Sequence, residues 1–223
     1  LMISNLIAHN LSSIGAINRA SELCDFATSL KDGDLALCSE LCVGGYERLG
    51  DEFEQDLERN LISSLKSGAY LGFSRIFNDY NEFILLSSKG VEFKQNKYRL
   101  FKPNNEDKIT LSGSLDGIKI HNINGVKIGV LICFELRFIK LWDRLKGANI
   151  ILVPAMWGNA RKAHYKVLCQ ALALQNRAYV IACSDMDLRF KSIFAPDGKR
   201  SENMKFDINL IDKFKKSLGI DDG

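Results

Sequence analysis

Proline, histidine and long apolar runs are all scarce in this sequence. Only 3 of the 223 residues are proline and 3 are histidine. No stretch is rich in proline, glycine and serine together, so no linker is visible. No internal repeat appears either, and one domain over residues 1–223 is expected, long enough to bury a sizeable core. No apolar run approaches the roughly 18–20 residues of a membrane helix, which excludes a membrane-spanning helix and predicts no membrane partner. The N-terminus has no basic stretch followed by a long apolar one. No secretory signal is therefore expected, and the chain is read as cytoplasmic. Leu1, ahead of Met2, is set aside as an added or trimmed start.

Charge of one sign is also lacking. Thirty basic residues face 27 acidic ones, a net of +3. Nucleic-acid binding would call for a basic stripe interleaved with aromatics. The nearest approach, Lys89 to Lys102, is better explained by a strand and a lysine block, and no nucleic-acid partner is expected. Lys213, Lys215 and Lys216, followed by Asp221 and Asp222, read as a solvated helix face.

Cysteine is what the sequence does have. Six are present: Cys24, Cys38, Cys42, Cys133, Cys169 and Cys183. They form no CxxC pair and lack clustered histidines, so no metal site is expected. A disulfide framework belongs to short secreted chains. The expected state is reduced thiols, mostly packed as small apolar residues, and the question is whether one of them is a nucleophile.

Apolar spacing orders the chain. Residues 2–9 read as a strand. Ser12 and Ser13 are expected to cap a helix with Ile14, Ile17, Ala20, Cys24 and Ala27 on its apolar face. Leu35 to Cys38 is a short buried strand, and Phe53, Leu57, Leu61 and Leu65 mark a second helix. Residues 69–77 and 82–87 read as strands around a turn at Asn78 to Asn81, and 91–98 as a third strand. Asn124-Gly125 marks a hairpin. The last third alternates strand and helix: a strand over 126–133, a helix over 135–146, a strand over 149–154, a helix over 160–177 and a strand over 179–183. Ala163, Val167, Ala171 and Leu174 are in register on the second of these helices. Ile150 to Val153 and Val180 to Cys183 are apolar throughout, as strands covered on both faces are. An α/β sandwich is expected.

In α/β proteins reactive residues gather at the C-terminal ends of strands. Glu40, Lys97 and Cys133 meet that condition. Cys133 is placed at a strand-to-helix junction, where helix N-terminal amides are expected to lower a thiol pKa and to hold an oxyanion. A carboxylate with a raised pKa can replace histidine as the base, and a lysine can balance a thiolate. His9, His121 and His164 have no local signature that ties them to Cys133, and His164 reads as structural.

Three blocks carry a resemblance. Gly129-Val130-Leu131-Ile132-Cys133-Phe134-Glu135-Leu136-Arg137-Phe138, continued by Gly147 to Trp157, resembles the nucleophile block of the nitrilase superfamily of carbon–nitrogen hydrolases. Gly33 to Leu41, running on to Gly45-Tyr46, resembles its glutamate block, and Lys97-Tyr98-Arg99-Leu100-Phe101 its lysine block. All three stand in family order across nearly the whole chain. The resemblance implies a four-layer α-β-β-α sandwich that assembles as a homodimer or larger homo-oligomer. It implies Cys133 as nucleophile, Glu40 as general base and Lys97 as stabiliser of the tetrahedral intermediate. Glu106 matches the second glutamate of many members; its other reading is an exposed loop carboxylate. The implied reaction is hydrolysis of a small amide through a thioester, with the Phe134 N–H sharing the oxyanion and no metal or organic cofactor required.

The Cys-Phe-Glu-Leu-Arg-Phe motif is similar to omega-amidase and Nit-type members, which points to a carboxylate-bearing omega-amide. Arg137 would then grip the carboxylate with its guanidinium fork, or else form a surface salt bridge. Trp157 is read as a pocket wall or a core-edge residue, and Tyr46 and Phe134 as further pocket candidates. Several positions depart from the family pattern. Ser39 and Ile139 stand where proline is common, Lys191 where glycine is common, and Leu172 and Gln175 where the family often has an arginine and a glutamate. The last pair and the short C-terminal part bear on assembly. A nitrile or carbamoyl-amine hydrolase of the same superfamily, and a non-catalytic binding or scaffold protein keeping the fold, are the alternatives.

Overall fold

The computed structural model describes residues 3–185 and 187–219. Leu1, Met2 and the Asp221–Asp222 pair lie outside them. β1 (Asn5–His9) leads into α1 (Ala16–Ser29), then β2 (Asp34–Cys38) and α2 (Asp51–Ser64). The meander β3 (Tyr70–Phe77), β4 (Tyr80–Ser87) and β5 (Gly90–Asn96) comes next, and then the short α3 (Glu106–Ile109). The second half holds β6 (His121–Ile123), β7 (Val126–Val130), a 3₁₀ turn over Cys133–Arg137, α4 (Ile139–Asp143), β8 (Ile150–Ala155), α5 (Lys162–Asn176), β9 (Tyr179–Ser184) and β10 (Phe190–Phe194). The chain ends with β11 (Arg200–Ser201), β12 (Asn203–Lys205) and α6 (Ile208–Leu218).

Two six-stranded sheets result, ordered β12-β1-β2-β3-β4-β5 and β11-β10-β9-β8-β7-β6. Parallel pairing joins β1, β2 and β3 in one sheet, and β7, β8 and β9 in the other. The two-residue period of the strands divides the core. Ala36, Leu71 and Ile84 face α1 and α2, where they meet Leu23, Ala27, Leu57 and Leu61. Their neighbours Leu35, Leu37, Phe83 and Leu85 join Val130, Leu152 and Ile181 in the other cluster, which also takes in Tyr165, Cys169 and Leu172 of α5. The arrangement is the expected α-β-β-α sandwich. The parallel strands β2, β7, β8 and β9 send their chain onward at the same end of the sandwich, which gathers the segments after Cys38, Val130, Ala155 and Ser184.

Four expectations need correction. Ser12 and Ser13 do not cap α1; its N-cap is Gly15, and both serine N–H groups donate to Glu22, at 2.7–3.0 Å. Ile14 and Ile17 are exposed, and the buried residues of α1 are Leu23 and Ala27. The single helix expected over 135–146 is two short pieces, because the chain turns at Phe138. On α5, Val167 and Leu174 are exposed, and the inward residues are Tyr165, Cys169, Leu172, Ala173 and Asn176. This helix carries apolar residues on two faces. Its polar groups decide between them: the Tyr165 hydroxyl donates to Val153 O at 2.7 Å and the Asn176 amide to Trp142 O at 2.9 Å. Those bonds let polar side chains occupy the buried face that hydropathy assigned to others.

One buried acid beneath this framework gives a pH test. Glu54 on α2 is 3% exposed, and its Oε2 has no hydrogen-bond partner among the described residues. Burial raises its pKa to about 7, against the pull of Arg75. The folded chain therefore keeps this proton between about pH 4.5 and 7 while the unfolded chain releases it, and stability falls as pH rises through that window. Glu54→Gln is expected to raise Tm by a few degrees at pH 8 and to change it little at pH 4.5. Scanning calorimetry at the two pH values checks this.

Candidate active site

Three loops converge on a buried ion cluster. Glu40 comes two residues after the end of β2, and the next residue, Leu41, has φ +48° and donates its N–H to Ser74 Oγ at 2.9 Å. Lys97 lies just past β5; its N–H donates to Asn81 O and its own carbonyl accepts from Gly113 N, both at 2.8 Å. A Cβ at Gly113 would stand 2.5 Å from Asn96 O, so only glycine lets these two backbones approach. Glu106 opens α3 and is fully buried. This rules out the exposed-loop reading of that carboxylate.

The Lys97 ammonium binds both acids. Nζ stands 2.7 Å from Glu40 Oε1 and 2.8 Å from each Glu106 oxygen, and all three side chains are fully buried. Burial alone would lower the lysine pKa, but Glu40, Cys133 and Glu106 outweigh it and hold the ammonium well above its ordinary value. The remaining carboxylate lone pairs take backbone donors: Met156 N to Glu40 Oε2 at 2.9 Å and Phe101 N to Glu106 Oε2 at 2.6 Å.

Cys133 sits against this cluster with φ +49°, a left-handed conformation that a non-glycine residue adopts only when its surroundings impose it. The residue is 8% exposed, and its thiol lies beside the Glu40 carboxylate and the Met156 N–H that donates to it. The expectation that helix amides lower the thiol pKa is overturned. Cys133 opens only a five-residue 3₁₀ turn, too short to act as a helix dipole, and the thiol is buried. Burial pushes its pKa well up, Glu40 adds to this, and Lys97 offsets only part. Burial and Glu40 together favour the neutral thiol, and the Glu40 carboxylate stands beside it.

Two buried residues that the sequence pattern did not single out hold this geometry. Asn81 was expected in a turn, but it lies in β4, and its amide donates to Glu40 Oε1 at 2.8 Å and Glu106 Oε1 at 3.0 Å. Glu135 joins two of the loops: one oxygen accepts from Ile132 N at 2.7 Å, the other from Tyr98 N at 2.6 Å and Arg99 N at 3.4 Å. Burial raises Glu135 to about 7, opposed by these donors. Asn81 stands beside Glu82 at the polar start of β4, so the pattern gave no signal for it. An acid two residues after the cysteine was the signal for Glu135.

The thiol faces a small cavity of about 20 Å³, lined by Phe101, Phe134, Arg137, Met156, Trp157 and Arg161 together with Cys133. Phe134 packs between Phe101 and Phe138, with ring centroids at 5.2 and 5.1 Å. Trp157 is a buried pocket wall, and the Arg137 guanidinium lies 4.8 Å from the centroid of its ring and 3.2 Å from His164 Nδ1. Arg137 is thus not in a surface salt bridge with a carboxylate among the described residues. Arg161, which no sequence motif marked, covers the Phe101 ring at 5.3 Å. Tyr46 does not line this cavity. It stands on the carboxylate side of the cluster, where burial and then the Glu40 and Glu106 charges push its phenol above the ordinary range. No group of three or more His, Cys, Asp or Glu residues suited to a metal ion occurs among the described residues.

The α-β-β-α fold and this Cys-Glu-Lys-Glu cluster define a hydrolase of the nitrilase superfamily. The carbon-nitrogen hydrolase family model matches residues 67–200, and the chain belongs to that family. It is similar to the "Hydrolase in agr operon" of Staphylococcus lugdunensis, at 27% identity over 86% of this chain and 95% of that protein. It is also similar to the 2-oxoglutaramate amidase of Bacillus subtilis, at 30% identity over 69% of this chain and 64% of that protein. The carbon-nitrogen hydrolase of Helicobacter pylori G27 shares the fold, with TM-score 0.80 and 15% identity over 98% of this chain and 93% of that one.

Proposed function

We propose that this chain is an amidase that hydrolyses the C–N bond of a small amide bearing a carboxylate, using Cys133 as nucleophile. The observation that carries the reading is the buried Cys133 thiol set against Glu40, whose carboxylate is held by the Lys97 ammonium and the Met156 N–H. Glu40 takes the thiol proton as sulfur attacks the amide carbonyl carbon. Lys97 and the Phe134 N–H stabilise the oxyanion. The C–N bond breaks, and the amine or ammonia leaves with the proton from Glu40. A water molecule then gives a proton to Glu40 and attacks the thioester carbonyl, releasing the acid and returning the proton to sulfur. Glu106 fixes Lys97 from the far side and keeps its charge directed at the thiol. No cofactor enters these steps.

The carboxylate preference rests on Arg137 and Arg161, two guanidinium groups over the cavity that are held by aromatic rings and not by acids. A name among the relatives points the same way: 2-oxoglutaramate amidase is the name of the protein from B. subtilis. Assembly as a homodimer or larger homo-oligomer and action in the cytoplasm belong to this proposal. So does a single domain spanning the chain. No helix of the described residues is long and apolar enough to cross a membrane.

A panel of omega-amides, simple aliphatic amides, carbamoyl amines and nitriles, read by ammonia release, tests the reading. Omega-amides bearing a carboxylate are expected to turn over fastest. Arg137→Ala and Arg161→Ala are expected to raise KM for those substrates by about tenfold or more, the scale of one charged hydrogen bond, and to leave KM for neutral amides within about twofold. Equal effects on charged and neutral amides would refute the role of the arginines. No turnover of any member would refute the amidase.

A further inference from the structure

A charged cleft lies away from Cys133 and shares no lining residue with the cavity over that thiol. We infer that this cleft, between the end of β1, the start of β10 and the β11 edge, binds a small polyanion carrying a di- or triphosphate group. Its volume is about 520 Å³, in the usual range of small-molecule sites. Four cationic side chains line it, Lys166, Arg189, Lys191 and Arg200, against one acid, Glu202. That local excess equals the +3 of the entire chain, so charges elsewhere nearly balance.

Two of the four cations, Lys191 and Arg189, are paired with acids, and Lys166 and Arg200 have no acid partner among the described residues. Glu202 is engaged at 3.4 Å by Lys191. Arg189 is held by a 2.8 Å bond from Nη2 to Leu11 O and by Nε at 3.6 Å from Asp185, contacts that leave its Nη1 uncommitted. Lys166 is propped over the Phe190 ring at 5.1 Å. Partial burial and then the like charges of Lys162 and Arg200 lower its pKa, a repulsion that an anion between them would remove. His9, stacked on Phe26 with ring centroids 3.8 Å apart, brings to the same wall an Nε2 that is buried and unpartnered among the described residues. Cations from α5, β10 and β11 spread over a cavity of this size suit a ligand with several charges, and guanidinium forks match phosphate oxygens in pairs. Asn10 extends the wall toward the thiol cavity: its amide donates to Ser184 O, and Ser184 Oγ accepts from Trp157 N.

Titration calorimetry with tripolyphosphate, ATP and adenosine tests this. The proteins compared are the wild type, a Lys166→Ala/Arg200→Ala variant and a Lys213→Ala/Lys216→Ala control on α6. Tripolyphosphate and ATP are expected to bind the wild type saturably with one site, at least tenfold more weakly to the cleft variant, and unchanged to the control. Adenosine is expected not to bind. Equal affinity for tripolyphosphate and ATP assigns the phosphates alone as ligand; tighter ATP binding assigns a nucleotide. Absence of saturable binding at 1 mM, or equal weakening by the control, overturns the inference. The cleft variant should retain wild-type amide hydrolysis without ligand and an unchanged Tm, which separates loss of the site from loss of the fold.

Discussion

Lys97→Ala is expected to lower Tm by roughly 6–20 °C and to reduce turnover to background. The substitution leaves Glu40 and Glu106 buried without the cation that bonds to both, at 2.7 and 2.8 Å. Breaking a buried ion pair by removing one partner costs about 3–5 kcal/mol, because the remaining charge cannot reach water. For a chain of 150–250 residues each kcal/mol moves Tm by about 2–4 °C. Turnover falls for a separate reason, the loss of the charge that faces the oxyanion. Lys97→Arg separates the two effects. It restores a charge and part of the stability, but its planar fork does not reproduce one Nζ bonded to three carboxylate oxygens, so turnover stays low. Calorimetry and ammonia release read both quantities, and a Tm within a degree of wild type in Lys97→Ala would contradict this account of the cluster.

Glu40→Gln is expected to lower turnover by about 10²–10⁴-fold, the usual contribution of a general base, and to leave an acyl group on Cys133. The raised thiol pKa makes a base necessary in the first half-reaction. In the second, water must lose a proton to the same carboxylate. An activated ester with a good leaving group speeds acylation without helping hydrolysis of the thioester. With such a substrate, intact-protein mass spectrometry should show a single adduct in Glu40→Gln and none in Glu40→Gln/Cys133→Ala. An adduct that persists after removal of Cys133 would place the nucleophile elsewhere.

Side-chain spacing encodes some of this site and not the rest. Glu40 and Cys133 could be found because each stands just beyond an apolar strand, and strand ends are visible as the end of a run. Glu106 was within reach through its distance from Lys97, but its burial was not, since that depends on α3 folding back under Phe101 N–H. Asn81 acts through bonds to residues 25 and 41 positions away, and Glu135 adds to its local bond with Ile132 N a bond to Tyr98 N 37 positions away; no local pattern contains these long-range bonds. Arg161 reaches the cavity only because α5 starts beside it. Hydropathy points to the wrong face of α5 because it counts Val167 and Leu174 and has no way to weigh the bonds of Tyr165 and Asn176. The lowered thiol pKa was inferred from a helix that proved to be one short turn. That error was also one of nonlocal origin, because burial by distant strands sets the thiol's environment.

The cavity over Cys133, at about 20 Å³, holds about one water molecule. A whole amide needs more room than that, and Arg137 on Trp157 and Arg161 on Phe101 are the long side chains bordering this space whose displacement would widen it. Trimming either arginine is therefore expected to speed alkylation of Cys133 by bulky reagents more than by slim ones. In the intact protein the same narrow space ranks thiol reagents by girth, so that a slim alkylating agent reaches Cys133 well before a bulky aromatic disulfide does.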